Sequence, residues 1–167
     1  MESTGLLPIQ RIDKSLPISA GNVTVEQDET YQSKFVTDGP KVTVIMTSWC
    51  SGKTINYAAQ SVLDQTYRNL ELIIVDDAST DSTPKIIASL ASSDPRVKPV
   101  YLKKNRGTYV AKNQGLKIAK GHYVLCQDSD DWAHPEKIQR LVAVLTSNPE
   151  LVGVVNGLVR ILSLIHI

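Results

Sequence analysis

Three carboxylates fall within four residues at Asp128-Ser129-Asp130-Asp131, directly before Trp132. Like charges packed this closely repel, and the cluster costs stability unless a cation or several hydrogen-bond donors offset it. Asp-x-Asp in an extended turn aims two carboxylates the same way. Mg2+ and Mn2+ favour such hard oxygen ligands, taking one or two protein carboxylates together with substrate phosphates. The plain alternative is a solvent-facing Asp/Ser turn that caps the next helix, to which Pro135 and Glu136 add support.

A second acidic pair, Asp76-Asp77, follows Leu72-Ile73-Ile74-Val75. A carboxylate there could accept the imide N–H of uracil, ligate a metal, or begin a turn through its own backbone hydrogen bonds. One of the two is expected to be structural, and Asp76 is assigned that role. Trp49 could stack on a planar base, worth about 1–3 kcal/mol, or simply join the core. Arg106 and Lys112 are candidate phosphate cations, whereas Lys103 and Lys104 read as solvated. Ser51-Gly52-Lys53-Thr54 imitates the end of a phosphate-binding loop, which would make the chain an NTPase or kinase. The full pattern G-x-x-x-x-G-K-[ST] needs a glycine where Thr47 stands, and that loop would have to accommodate Trp49.

These residues need a frame, and the hydrophobic pattern supplies one. Short apolar runs at Val42–Met46, Leu70–Val75, Val97–Leu102, His122–Cys126 and Leu151–Val155 read as strands. Thr54–Asp64, Asp81–Ala91, Gly107–Ala119 and Pro135–Thr146 carry helical spacing between them, with Asp81 or Ser82 as N-cap and Gly121 closing the third. Strands alternating with helices predict an α/β fold, and continuous apolar runs predict a mostly parallel sheet with helices on both faces. Ligands in such sheets lie at the carboxyl ends of the strands, where all the polar clusters fall. Residues 1–40 show no sustained period and read as an N-terminal extension or linker, with Val23-Thr24-Val25-Glu26 as an edge strand.

Composition sets the outer bounds. The 167 residues suit one domain, with 42% hydrophobic and 21% charged residues. A formal net charge of +1 gives no basic field to gather nucleic acid. Cys50 and Cys126 lie far apart and have no zinc-site spacing. No secretory signal is read at the N-terminus, and the Asn22-Val23-Thr24 sequon is taken as accidental. A cytoplasmic location follows as an expectation, with the cytoplasmic face of a membrane as a variant.

Taken in order, the motifs resemble glycosyltransferase family 2. Val42–Trp49 is similar to the family's opening strand, and Ser61-Val62-Leu63-Asp64-Gln65-Thr66-Tyr67 to its S-[VI]-L-x-Q-[ST]-[YF] helix end. Glu71–Asp81 resembles its E-[IL]-I-[IV]-V-D-D-x-S-x-D block. Asn105-Arg106-Gly107, Ala111–Gly115 and Ala119-Lys120-Gly121 follow its N-x-G, A-[RK]-N-x-G and A-x-G order, and Asp128–Asp131 with Pro135 completes the series. The resemblance implies a Rossmann-like GT-A fold, a nucleotide-sugar donor (UDP-linked or another), a divalent Mg2+ or Mn2+ ion, a saccharide or other hydroxyl acceptor, and inversion at the anomeric carbon.

By motif position it also implies roles. Thr47 and Trp49 would contact the base, Asp77 its imide N–H, and Asp128 the ribose or sugar. Asp130 and Asp131 would approach the metal and diphosphate, with Arg106 and Lys112 near the phosphates. Cys50 departs from the family, which often has Asn there. The donor-binding domain is expected over residues 41–157, incomplete, with the general base downstream. A truncated or non-native tail is expected over 158–167. A non-catalytic nucleotide-binding module is the remaining alternative.

Overall fold

The computed structural model describes residues 7–154 apart from 17, 18, 20 and 28. Its elements run β1 (Ile9–Arg11), β2 (Val23–Val25), α1 (Glu29–Ser33), β3 (Val42–Ser48), α2 (Ile55–Leu63), β4 (Leu70–Asp76), α3 (Thr83–Ser93), β5 (Val97–Tyr101), α4 (Thr108–Ile118), β6 (Tyr123–Asp128) and α5 (Lys137–Ser147). The main sheet has the order β5-β4-β3-β6, and every pairing in it is parallel.

β3 and β4 are buried at every position, as strands covered on both faces must be. Val42, Val44, Met46, Leu70, Leu72 and Ile74 meet Ile55, Ala58, Val62 and Ile87 of α2 and α3, together with Ile138 and Val142 of α5. Ile73 and Val75 point the other way, against Ala111 of α4. Gly115 lets α4 approach closely, since a Cβ there would lie 2.7 Å from Ile45 Cγ2. Gly121 is more tightly constrained: an added Cβ would press on the Thr43 backbone nitrogen and lie 2.7 Å from the Tyr123 carbonyl oxygen.

The chain lays down β3, β4 and β5 outward in one direction, then returns to place β6 on the free side of β3. That reversal puts the switch point between β3 and β6, and the ligand crevice beyond their carboxyl ends. Thr47 is level with Val75 on one side and Asp128 on the other, and Ser48 with Asp76.

The expected fifth strand over Leu151–Val155 is not observed. Leu151–Val154 form no strand, and Val155 lies outside the described residues. Leu151 and Val152 are exposed there; an apolar run becomes a strand only where a neighbour supplies the ladder. The 158–167 tail also lies outside the described residues.

Near the amino terminus, β1 and β2 pair antiparallel in a sheet of their own. Asn22 of the sequon is buried, its side-chain amide donating to the carbonyls of Asp13 and Leu16. Tyr31 donates its hydroxyl to the Asp64 carbonyl, and Val36 bridges to Tyr67. These contacts dock Tyr31 and Val36 on the connection between α2 and β4.

Candidate functional site

A cleft of about 780 Å³ opens at the switch point. Of the residues singled out from sequence, Thr47, Trp49, Asp77, Lys112, Asp128 and Asp130 line it. Arg106 and Asp131 do not. Each loop reaches this place because its strand ends there.

Asp77 is fixed most firmly. It is 4% exposed, its own N–H donates to the Ser48 carbonyl at 2.8 Å, and its two carboxylate oxygens accept the main-chain N–H groups of Arg106 (2.8 Å) and Gly107 (2.7 Å). Gly107 has φ +85°, a conformation side chains resist. Asp77 thus holds the turn that starts α4, and each oxygen keeps a lone pair for a further donor. Asp76 is also buried, with one oxygen accepting the Ser79 N–H at 3.2 Å. Both carboxylates brace loops, and Asp77, not Asp76, makes the shorter bonds.

The Arg106 side chain lies on a second, smaller cavity beside Lys103 and Lys104. Its main chain, rather than its guanidinium, serves the main cleft. Lys112, one α4 turn further on, faces Asp128 at 3.5 Å. A partly exposed pair at this distance is worth about 1 kcal/mol, which leaves Lys112 able to exchange Asp128 for a phosphate.

Trp49 is 59% exposed on the cleft wall, not part of the core. Cys50 beside it has φ +49°. This is the left-handed region that Asn tolerates better than most residues, a physical reason for Asn to be common at that position. The loop is tied down by Ser79 Oγ accepting the Cys50 N–H (2.8 Å) and Asp81 accepting the Gly52 N–H (3.0 Å). Ser51 Oγ and Ser129 Oγ, 2.8 Å apart, join the β3 and β6 loops across the switch point.

Ser51 and Lys53 also line the cleft, having been read from the sequence only as part of a phosphate-loop imitation, as do Asp81, read as an N-cap, and Ser129, read only as the spacer between carboxylates. Lys137 was missed, and nothing local marks it. Its ammonium donates to Gln127 Oε1 at 2.9 Å. Burial draws its pKa below the ordinary lysine value, against the pull of Asp131 and Asp128.

The acidic loop can be tested for its fit to a divalent cation. Among the described residues, no three of His, Cys, Asp and Glu converge into a ready-made cage. Asp128 and Asp130 do offer hard carboxylate oxygens on the cleft wall. An ion that takes one or two protein carboxylates and completes its shell with phosphate oxygens fits that donor set.

With this geometry in view, comparison with known proteins is decisive for the family. Residues 43–161 match the family model described as glycosyl transferase family 2. The chain belongs to that family. Its fold is the family's GT-A type. It is 42% identical over 101 residues to the "Putative teichuronic acid biosynthesis glycosyltransferase TuaG" of Bacillus subtilis, covering 60% of this chain and 40% of that protein. Among solved structures it resembles Staphylococcus aureus TarS 1-349 in complex with UDP-GlcNAc (TM-score 0.61, 30% identity, 65% of this chain and 32% of that one). It also resembles the mannosyltransferase PcManGT of Pyrobaculum calidifontis in complex with GDP-Man and Mn2+ (TM-score 0.57, 31% identity, 65% and 32%). The chain spans 29–40% of the length of the first curated family 2 relatives it matches.

Proposed function

We propose that this chain is the donor-binding portion of an inverting glycosyltransferase that moves a sugar from a UDP-linked donor to a hydroxyl of a saccharide acceptor in polysaccharide synthesis. The observation that carries the reading is the charge and shape of the cleft. Asp77, Asp81, Asp128 and Asp130 line it against Lys53 and Lys112, so carboxylates outnumber ammonium groups four to two. A diphosphate entering such a cleft is repelled unless a divalent cation comes with it. A planar base finds the exposed Trp49 ring and a carboxylate at Asp77. The ligands named for TarS and PcManGT, UDP-GlcNAc and GDP-Man with Mn2+, support a nucleotide-sugar donor and a metal.

In this reading Trp49 stacks on the base, with Thr47 beside it, and Asp77 accepts the imide N–H through its remaining lone pairs. Asp128 takes a ribose or sugar hydroxyl. Lys112 turns from Asp128 to the diphosphate and holds it for departure, with Arg106 as an outer cation. Asp130, with Asp131 adjacent, would hold Mg2+ or Mn2+, which when bound supplies Lewis-acid neutralisation of the leaving diphosphate. Removal of the acceptor hydroxyl's proton belongs to a carboxylate outside the described residues. Action in the cytoplasm or at the cytoplasmic face of a membrane is part of the same proposal; among the described residues no helix is long and apolar enough to cross a membrane.

Calorimetric titration with UDP, with and without Mn2+, tests the site. Wild type is expected to bind UDP with a Mn2+-dependent gain that Asp130→Asn loses, while Trp49→Ala weakens binding with or without Mn2+. Equal titrations for all three proteins would discard the assignment.

A further inference from the structure

The stretch from Ser129 to Glu136 carries the acidic cluster's end into α5 without helix or strand of its own. A strap of this kind keeps Asp130 in place only if it is held along its length. On one side α2 and its exit hold its main chain: Ser61 Oγ accepts the Ala133 N–H (3.0 Å), Gln65 Nε2 donates to the His134 carbonyl (2.8 Å), and the Thr66 N–H donates to the Pro135 carbonyl (2.9 Å).

The opposite side is held by residues that precede the family match, which begins at residue 43. Trp132, like Phe35, packs against the cluster of Leu7, Val25 and Tyr31. The Leu7 carbonyl lies 3.0 Å from His134 Nε2, and the Leu7 N–H donates to Glu136 Oε2 at 3.2 Å. Lys34 Nζ donates to Glu136 Oε1 at 2.7 Å, and Arg140 lies 3.9 Å from the other oxygen. Trp132, His134 and Glu136 all meet one surface, Glu136 from the turn (φ −90°, ψ 4°) that leads into α5. That surface is the amino-terminal segment.

We propose that Leu7, Val25, Tyr31 and Lys34 of the amino-terminal segment form a positioning brace for the acidic loop, fixing Asp130 for metal-linked donor binding. The inference rests on the donor-site reading above. Its physical basis is that carboxylates in a repelling cluster separate unless something rigid holds the backbone between them. The indole of Trp132, immediately after Asp131, and the buried Glu136 anchor supply that rigidity. Loss of an outer support typically weakens metal affinity by about 10-fold or more.

The test compares wild type with Lys34→Met, Lys34→Arg and Trp132→Leu in the full chain, well below each protein's Tm. Hydrogen exchange of the amides of residues 129–136 in metal-free protein reads the brace itself. It is expected to accelerate in Lys34→Met and Trp132→Leu, to return to the wild-type rate in Lys34→Arg, and to stay unchanged over β4. UDP titration reads the consequence: the two disruptive variants should lose most of the Mn2+-dependent gain and keep the metal-free affinity. Lys34→Met guards against the larger core change at Trp132 simply unfolding the protein. Unchanged exchange in both variants overturns the brace, whatever UDP does. Accelerated exchange with a full Mn2+-dependent gain overturns its role in donor binding. A wild type that shows no Mn2+-dependent gain refutes the donor-site reading, and the proposed purpose of the brace falls with it.

Discussion

Asp77 is asked to do two things, and its replacement separates them. Its oxygens accept two main-chain N–H groups at 2.8 and 2.7 Å in a nearly buried setting. Hydrogen bonds to a charged group contribute about 1.5–3 kcal/mol each, so Asp77→Ala should destabilise the protein by roughly 3–6 kcal/mol. With a urea m-value on the order of 2 kcal/mol/M, the unfolding midpoint falls by about 1.5–3 M. Asp77→Asn keeps one acceptor but turns an amide NH2 toward the other N–H, stranding a donor at about 1–3 kcal/mol. Its midpoint should fall by about half as much, leaving the protein folded in dilute buffer. UDP affinity should then drop in the Asn variant even where the fold is intact, because one neutral amide oxygen replaces two charged acceptors and the NH2 group faces an incoming N–H donor. The assay is urea unfolding followed by tryptophan fluorescence, with UDP titration of each folded variant. An Asp77→Ala midpoint within about 0.3 M of wild type would refute the structural half of the argument. Full UDP affinity in Asp77→Asn would refute the binding half.

Two further outcomes are expected. Gly121→Ala should cost about 3 kcal/mol or more by overpacking, because its Cβ meets the backbone of Thr43 and Tyr123, which cannot swing aside; thermal unfolding measures this, and a Tm equal to wild type would contradict it. Acid should also unfold the protein through Glu71 and Glu136. Burial alone would raise both carboxyls. For Glu71 the Thr43 hydroxyl, the Lys120 N–H and Lys41 outweigh it, and for Glu136 Lys34, the Leu7 N–H and Arg140 do so, holding both below the ordinary glutamate range. Depressed carboxyls contribute stability that is fully present above the unfolded pKa of about 4.3 and is lost as pH falls through the folded values. Urea midpoints should therefore be flat from pH 7 to about 5 and decline below, less steeply in Glu71→Gln. An equal decline in that variant would remove Glu71 from the account.

The central strands β3 and β4 were legible because burial on both faces writes a near-continuous apolar run into the sequence, whereas the outer strands β5 and β6 are exposed at several positions and showed through shorter apolar stretches. The strand ends were not legible. β3, β4 and β6 continue through Ser48, Asp76 and Asp128, since a polar residue can complete a ladder with its backbone while its side chain serves the cleft. Grouping of the acidic loops followed from the strand-end rule once a parallel sheet was inferred. Arg106 was read by charge, yet the bond it makes to the cleft's Asp77 is a main-chain N–H, which every residue but proline possesses. The docking of the amino-terminal segment was out of reach for a different reason. Lys34 and Glu136 stand 102 residues apart, and neither lies in a pattern that names the other.

The imitation of a phosphate-binding loop at Ser51-Gly52-Lys53-Thr54 shows how the same sequence stretch is resolved by where its amides go. Such a loop works by leaving successive N–H groups unpaired and aimed at an anion. Here the Cys50 and Gly52 N–H groups are already donated to Ser79 and Asp81. Gly52 has its own reason to lack a side chain, since an added Cβ would collide with Ser82 Oγ at the start of α3. Thr47, where the first glycine of that pattern belongs, is a ladder residue between Val75 and Asp128. An amide nest attracts phosphate by itself, whereas this cleft presents more carboxylates than ammonium groups. The consequence is electrostatic and general. On the proposed reading, nucleotide affinity should therefore rise with divalent cation, and the cation-dependent part of that gain should be lost when Asp130 is neutralised.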